Sequence, residues 1–120
     1  MLLCLVADIG YAQFSKQQLN EIDSLNSIIS NPQSHDTSIA KSYLGLSEIL
    51  YISKVDTIMF LCEKVEKIAE KGLKEKSSIA VEKSFKSSLA GALNNIGYVY
   101  KLNGKISLAL AYHHRSMKLK

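Results

Sequence analysis

Cysteine and proline are scarce in this chain and tryptophan is absent; the low cysteine and proline counts each exclude a class of structure. Two cysteines, Cys4 and Cys62, among 120 residues are too few for a disulfide scaffold. They form no Cys-x-x-Cys pair, and no His-Glu-x-x-His motif occurs, so the sequence lacks the common metal-ligand spacings. Pro32 is the only proline, so long stretches are free of the strongest helix breaker.

Long apolar runs are lacking too. No stretch approaches the roughly 20 apolar residues that cross a bilayer as a helix, so we expect any membrane attachment to lie outside this chain. Hydrophobic residues nevertheless make up 47% of the sequence. They recur three or four positions apart and show no alternating strand pattern, which predicts an all-α fold of about five helices.

The helix boundaries are predicted from capping residues. Ser15 and Gln18 form a capping box for a first helix over about residues 15–30, which stops before Pro32. The N-caps predicted for the second and third helices are the pairs Asp36-Thr37 and Asp56-Thr57.

The later boundaries depend on glycines. Gly72 is predicted to cap the C-terminus of the third helix. The fourth helix is long and runs from about residues 76–78 to Leu102, with Gly91 as a point where it could bend. An Asn103-Gly104 turn then leads into a final helix.

Residues 1–12 partly match a secretory signal. Gly10 and Ala12 are small residues at the −3 and −1 positions of a cleavage site before Gln13. However, no basic residue precedes the apolar run, and Asp8 interrupts it early. Two interpretations stay open: a secretory signal, either complete or truncated at its start, or an N-terminal packing segment. The first predicts a periplasmic or extracytoplasmic protein and the second a cytoplasmic one.

The net charge of +4 is unevenly distributed. Residues 1–40 contain one lysine and four acidic residues, whereas residues 41–120 contain 14 basic and seven acidic residues. In the basic half, lysines alternate with glutamates at i,i+4 spacing. This pattern predicts solvated helix faces and not a nucleic-acid surface. The predicted ion pairs are Glu63/Lys67, Glu70/Lys74 and Glu82/Lys86.

The segment from residue 90 to 120 carries a recognisable helix–turn–helix pattern. Small residues allow two helices to approach closely, apolar residues fill their interface, and a glycine makes the turn. These positions are Leu93, Ile96, Gly97, Tyr100, Gly104, Ala109 and Ser116. The pattern resembles a tetratricopeptide repeat (TPR), the ~34-residue unit of helical solenoids. His113 departs from it, because an aromatic residue is usual at that position.

A weaker unit of the same kind is predicted over residues 36–72, with Ser47 in place of the glycine of the Leu-Gly pair. Residues 13–35 then form an N-terminal capping helix, and residues 73–120 form the long helix and the final helix. This TPR-like antiparallel helix-hairpin array is similar to the sensor or scaffold regions of bacterial signalling proteins.

The resemblance implies a binding surface. In such repeats the first helix of each unit lines the concave side. The candidate binding residues are therefore Asn94, Tyr98 and Lys101, whose i, i+4 and i+7 spacing places them on one helix face. Asn94 would hydrogen-bond a peptide backbone, Tyr98 would supply contact area and Lys101 would favour acidic groups. We predict no catalytic residue, metal ligand or cofactor: the pair His113-His114 has no Asp, Glu or Cys three or four positions away.

The predicted function is protein–protein interaction, with a peptide or protein as partner and no small-molecule substrate. The alternative is an N-terminal sensor or dimerisation segment of a larger bacterial signalling protein, such as a histidine kinase, cyclase or transcriptional regulator. Solenoids usually need about three repeats. One side of the last helix pair is therefore expected to be exposed and apolar, available for self-association or for a partner.

Overall fold

The computed structural model describes residues 14–51 and 55–119, which form five α-helices. They are α1 (Lys16–Ser30), α2 (Asp36–Leu50), α3 (Val55–Lys74), α4 (Ile79–Leu102) and α5 (Ile106–Leu119). No strand occurs in these two ranges, so the predicted all-α class is confirmed. None of these helices is long and apolar enough to cross a bilayer. The signal sequence predicted for residues 1–12 lies outside the described residues.

Two of the helix starts follow their local sequence. Ser15 caps α1: its hydroxyl accepts from the Gln18 backbone N–H, and the Gln18 carboxamide accepts from the Ser15 N–H, both at 3.0 Å. This is the predicted capping box, which satisfies two donors that the helix itself leaves free. Ser78 caps α4 in a similar way, accepting from the Val81 N–H at 3.2 Å.

The other predicted caps are wrong in detail. His35 is the N-cap of α2, with Nδ1 accepting from the Thr37 N–H at 3.1 Å, and Asp36 lies in the first turn of the helix. The carboxylate of Asp36 still suits that turn, where the helix dipole is positive. The α3 helix begins at Val55, so Asp56 and Thr57 lie inside it and do not cap it.

Gly72 does not end α3, which continues to Lys74. It is buried inside the helix, and a Cβ at this position would overlap the ring of Phe85 from α4. Phe85 is itself only 3% exposed. The absence of a side chain at Gly72 therefore serves close packing of α3 against α4, and the long-range contact outweighs the local preference of glycine for helix ends.

The turn between α4 and α5 forms where it was predicted. Gly104 has φ = 75°, the left-handed conformation that glycine adopts without strain. The Lys105 N–H bonds to the Tyr100 carbonyl at 2.9 Å, and the Gly104 N–H bonds to the Lys101 carbonyl at 3.0 Å. Asn103 is the C-terminal cap of α4. These bonds satisfy carbonyls that the end of a helix leaves unpaired.

The α4 and α5 helices approach closely at Gly97. A Cβ there would lie 2.9 Å from Cε1 of His113 and 3.1 Å from the Ala109 carbonyl oxygen. Ala109 is buried, and the buried Ser116 hydroxyl donates to the Ala90 carbonyl at 2.7 Å. The small residues of the predicted repeat unit therefore do lie at a close helix contact.

The apolar residues of the same unit are also packed. Leu93 and Ile96 are buried, and the rings of Tyr100 and Tyr112 are in contact with their centroids 5.4 Å apart.

The helices pack in sequence, each against the next, and α2 also packs against α4. The core is consequently divided along the array into three clusters and has no single centre. One cluster contains Ile22, Leu46 and Leu61, the next contains Ile58, Val65 and Ile96, and the last contains Ala69, Phe85 and Leu93. Such nearest-neighbour packing is typical of helical repeat proteins.

Ion pairing differs from the prediction. Of the three proposed pairs, Glu82–Lys86 is formed, with Nζ 3.1 Å from Oε1. Glu70 pairs instead with Arg115 of α5, whose Nη2 lies 3.7 Å from Glu70 Oε2 and 3.3 Å from Glu66 Oε2. The guanidinium also stands 5.2 Å from the Tyr112 ring centroid. These contacts attach α5 to α3.

We predict that Gly72→Ala destabilises the fold although alanine favours helices. The methyl group must displace the buried Phe85 ring, and overpacking of this kind costs about 1–3 kcal/mol. Only about 1 kcal/mol is offset by the better helix propensity of alanine. The measurement is the free energy of unfolding from urea titration followed by circular dichroism.

Gly45→Ala is the matched control, because Gly45 also lies inside a helix. A Cβ at Gly45 would lie 3.2 Å from Cδ1 of Leu25, a half-buried side chain that can shift. This variant is expected to be as stable as the parent or more stable, by up to about 1 kcal/mol. Equal destabilisation of the two variants would contradict the proposed Phe85 contact.

Candidate functional site

A cleft lies between α2 and α4, the two helices that pack side by side. Gly91 sets their spacing, because a Cβ there would lie 2.8 Å from Cδ2 of Leu44 in α2. Gly91 thus serves close approach and lies within the continuous helix α4. The opening, here called the α2–α4 cleft, has a volume of about 280 Å³. Its lining residues are Ser47, Glu48, Tyr51, Ile58, Asn95 and Tyr98.

The floor of the α2–α4 cleft is a polar pair that joins its two helices. Asn95 Nδ2 donates to Ser47 Oγ at 3.3 Å, and the Ser47 hydroxyl donates to the Leu44 carbonyl at 2.7 Å. Ser47 is buried, and Asn95 is half-buried. A buried polar group is costly without a partner, so this pair favours one register of α2 against α4.

Cys62 of α3 lies behind this floor and is fully buried. Burial raises the pKa of its thiol to about 11, and hydrogen bonding by Ser47 and Asn95 opposes that shift only in part. The thiolate is the nucleophilic form of cysteine, and it is not populated near neutral pH at such a pKa. Cys62 therefore belongs to the core, and the α2–α4 cleft offers no activated thiol.

Two tyrosines form the mouth of the α2–α4 cleft. Tyr51 is 55% exposed and Tyr98 is 44% exposed, although both rings are large and apolar. Glu48 is exposed on the same side, one helix turn before Tyr51. Exposed tyrosine rings offer contact area with a polar tip, and a carboxylate beside them attracts a cation. The cleft thus combines apolar walls, a polar floor and one negative charge.

The three residues nominated from the sequence lie on one side of α4 but contact different helices. Tyr98 lines the α2–α4 cleft. Asn94 is exposed, and its carboxamide oxygen accepts from Nδ1 of His113 in α5 at 2.7 Å. Lys101 is exposed in the last turn of α4. The structure therefore brings Tyr98 together with α2, whereas Asn94 is already engaged by α5.

Sequence reasoning missed the contribution of α2 to this cleft. The signal was available in the spacing of the two repeat-like units, since Ser47 precedes Gly97 by 50 residues. The same offset makes Glu48 the position equivalent to Tyr98, and Tyr51 the position equivalent to Lys101. Applying the repeat register to both units would have nominated Glu48 and Tyr51. No sequence signal identifies Asn95, because its bond to Ser47 depends on the packing of α4 against α2.

In the described ranges, 14–51 and 55–119, no group of three or more His, Cys, Asp or Glu residues is placed to hold a metal ion. Compared with known proteins, the chain matches no family model, no curated protein and no solved structure. The chemistry of the α2–α4 cleft therefore has to be inferred from its own residues.

The buried thiol makes stability depend on pH above 9. The ordinary cysteine pKa of 9.0 applies to the unfolded chain and a pKa of about 11 to the folded one. The unfolded state therefore releases its proton first, and stability should fall between pH 9 and pH 11 by up to about 2–3 kcal/mol. A Cys62→Ala variant should lack this component of the fall.

The measurement is the free energy of unfolding of both proteins at several pH values from 8 to 11. A Cys4→Ser background in both removes the second thiol, and lysine and tyrosine titration cancels in the difference. Parallel curves for the two proteins would show that the Cys62 pKa is not raised.

Proposed function

We propose that this chain is a TPR-like interaction module whose α2–α4 cleft binds a segment of a partner protein. The observation that carries the proposal is the pair of exposed rings, Tyr51 and Tyr98, above the Ser47–Asn95 floor. The order of packing supports it, because α2–α3 and α4–α5 are successive hairpins whose first helices lie side by side. That arrangement agrees with the repeat resemblance of the sequence.

The residues of the cleft suit a polypeptide side chain as occupant. Its volume is about 280 Å³, and two exposed tyrosine rings lie at its mouth. Tyrosine is enriched in protein interfaces, since its rigid ring gives contact area at a low entropy cost. The residues around the cleft thus favour contact and recognition over catalysis.

The charges indicate what the partner segment presents. A large apolar side chain would enter between Tyr51 and Tyr98, and the Asn95 and Ser47 floor would accept a polar backbone group. Glu48 would attract a basic residue on one side, and Lys101 would attract an acidic residue further along α4. We therefore expect a segment in which a large apolar residue lies between residues of opposite charge.

The proposal is tested with a displayed library of random peptides. Peptides selected on the immobilised chain are labelled, and their affinities are measured by fluorescence anisotropy. The triple variant Asn94→Ala, Tyr98→Ala, Lys101→Ala should weaken binding by about tenfold or more, with Tyr98→Ala as the largest single effect. The engaged state of Asn94 predicts that its single substitution has the smallest effect.

The matched control is Phe60→Ala with Lys64→Ala. These residues also form an exposed aromatic and lysine pair, with Nζ 5.4 Å from the ring centroid, but they lie on α3. The control should bind the selected peptides as the parent does. If the triple variant retained parental affinity, or if the control lost as much, the cleft would not be the binding site.

A further inference from the structure

Exposed apolar side chains are concentrated at the C-terminal end of the helix array. Nine large hydrophobic residues are exposed among the described residues, and five of them fall between positions 102 and 117. Four define the surface here called the end face: Leu102 at 55% exposure, Ile106 at 53%, Leu110 at 63% and Met117 at 70%. This confirms the predicted exposed apolar side of the last helix pair. The fifth, Leu108, lies on a different side of α5 by helical spacing.

The α5 part of the end face is a helical stripe that borders α4. Ile106, Leu110 and Met117 lie at i, i+4 and i+11, and His113 at i+7 completes the row. His113 packs on Gly97 and bonds to Asn94, both in α4. The stripe therefore lies in the angle between α4 and α5 and does not form an outward ridge.

The outward side of α5 is different in character. Ala109 and Ser116 point into the core, and positions about 180° from them around the helix are Ser107, Ala111 and Lys118. A flat lipid surface would meet this polar and small side first. An angle between two helices instead suits a third helix, which can bury its own apolar row there.

Charge specifies the partner further. Residues 83–119 contain no Asp or Glu, and their basic residues are Lys83, Lys86, Lys101, Lys105, Arg115 and Lys118. Arg115 is paired with Glu66 and Glu70 of α3. Lys101 and Lys118 have no carboxylate within 4.0 Å among the residues that the structure describes, and they are sequence neighbours of Leu102 and Met117. Among the described residues, the end face is thus apolar and bordered by lysines that have no carboxylate partner.

We propose that the end face docks one amphipathic helix of a partner protein, with an apolar row flanked by Asp and Glu. Such a helix covers Ile106, Leu110 and Met117 and sets its carboxylates against Lys101 and Lys118. A two-fold dimer through the same face would place those lysines against their own copies, and like charges oppose that arrangement. Lys101 borders both this surface and the segment proposed for the α2–α4 cleft, but the apolar row of Ile106, Leu110 and Met117 lies on α5 and lines no part of the cleft.

The test uses two labelled synthetic helices of about 18 residues, which is five turns. Both carry the same leucine row, flanked by Glu in one and by Lys in the other. The Glu peptide should bind the chain, binding should weaken as NaCl is raised, and the Lys peptide should bind at least about tenfold more weakly. Equal binding of both peptides would overturn the proposal.

Variants of the chain locate the site. Leu110→Ser with Met117→Ser should weaken binding of the Glu peptide by about tenfold or more. Lys118→Glu should weaken it and reduce its dependence on salt. Leu108→Ser, an exposed leucine of α5 outside the row, should leave affinity unchanged, as should Tyr98→Ala in the cleft. All five positions are exposed, and circular dichroism should show the parental helix content.

Two further measurements decide against other occupants. In analytical ultracentrifugation the parent chain should be monomeric; a dimer that Leu110→Ser with Met117→Ser dissociates would assign the face to a second copy and overturn the proposal. In flotation assays with phosphatidylserine-containing vesicles the chain should stay unbound. Vesicle binding that the same double variant removes would assign the face to a membrane.

Discussion

Close approach to α4 is the constraint on which the rest of the structure depends. Phe85 of α4 packs over Gly72 of α3, Gly91 admits Leu44 of α2, and Gly97 admits His113 of α5. Phe85, Gly91 and Gly97 are six residues apart along α4, so each successive contact is rotated by about 240° around the helix. The three contacts therefore point in three directions, one toward each neighbour. A single helix with a small residue or a ring at each of these points fixes the placement of α2, α3 and α5.

The position of both candidate surfaces follows from this arrangement. Neighbours at three directions leave one open strip along α4, between the Gly91 and Gly97 contacts, and Asn94, Tyr98 and Lys101 lie in it. Tyr98 lies on the α2 side of the strip and so lines the α2–α4 cleft, whereas Asn94 reaches His113 on the α5 side. Asn94 and Tyr98 thus share one face of α4 by spacing, but Tyr98 lies beside α2 and Asn94 lies beside α5.

Local sequence was sufficient for much of the fold, because capping and turn residues act on their immediate neighbours. The Ser15–Gln18 box, the Ser78 start and the Gly104 turn needed no knowledge of tertiary structure.

Predictions failed where a residue had a distant partner. Gly72 has the local properties of a helix end, but its contact with Phe85 decides its role. Gly91 has the local properties of a helix bend, but it lies inside a continuous helix because its missing side chain makes room for Leu44. The cleft was half predicted for the same reason: Tyr98 came from the repeat pattern, while Glu48 and Tyr51 required the side-by-side packing of α2 and α4.

Electrostatics separates the two surfaces in a way that hydrophobicity does not. Both expose large apolar groups, but Glu48 gives the α2–α4 cleft a negative charge, whereas the end face has only cations at its borders. Glu66 and Glu70 of α3 pair with Arg115 of α5, and this pairing leaves Lys101 and Lys118 without a partner from α3 among the described residues. No acidic residue follows Glu82 in the described chain to neutralise Lys101 or Lys118. The two surfaces therefore differ in the charge nearest their apolar groups, Glu48 at the cleft and lysines at the end face, although both border the same open strip of α4.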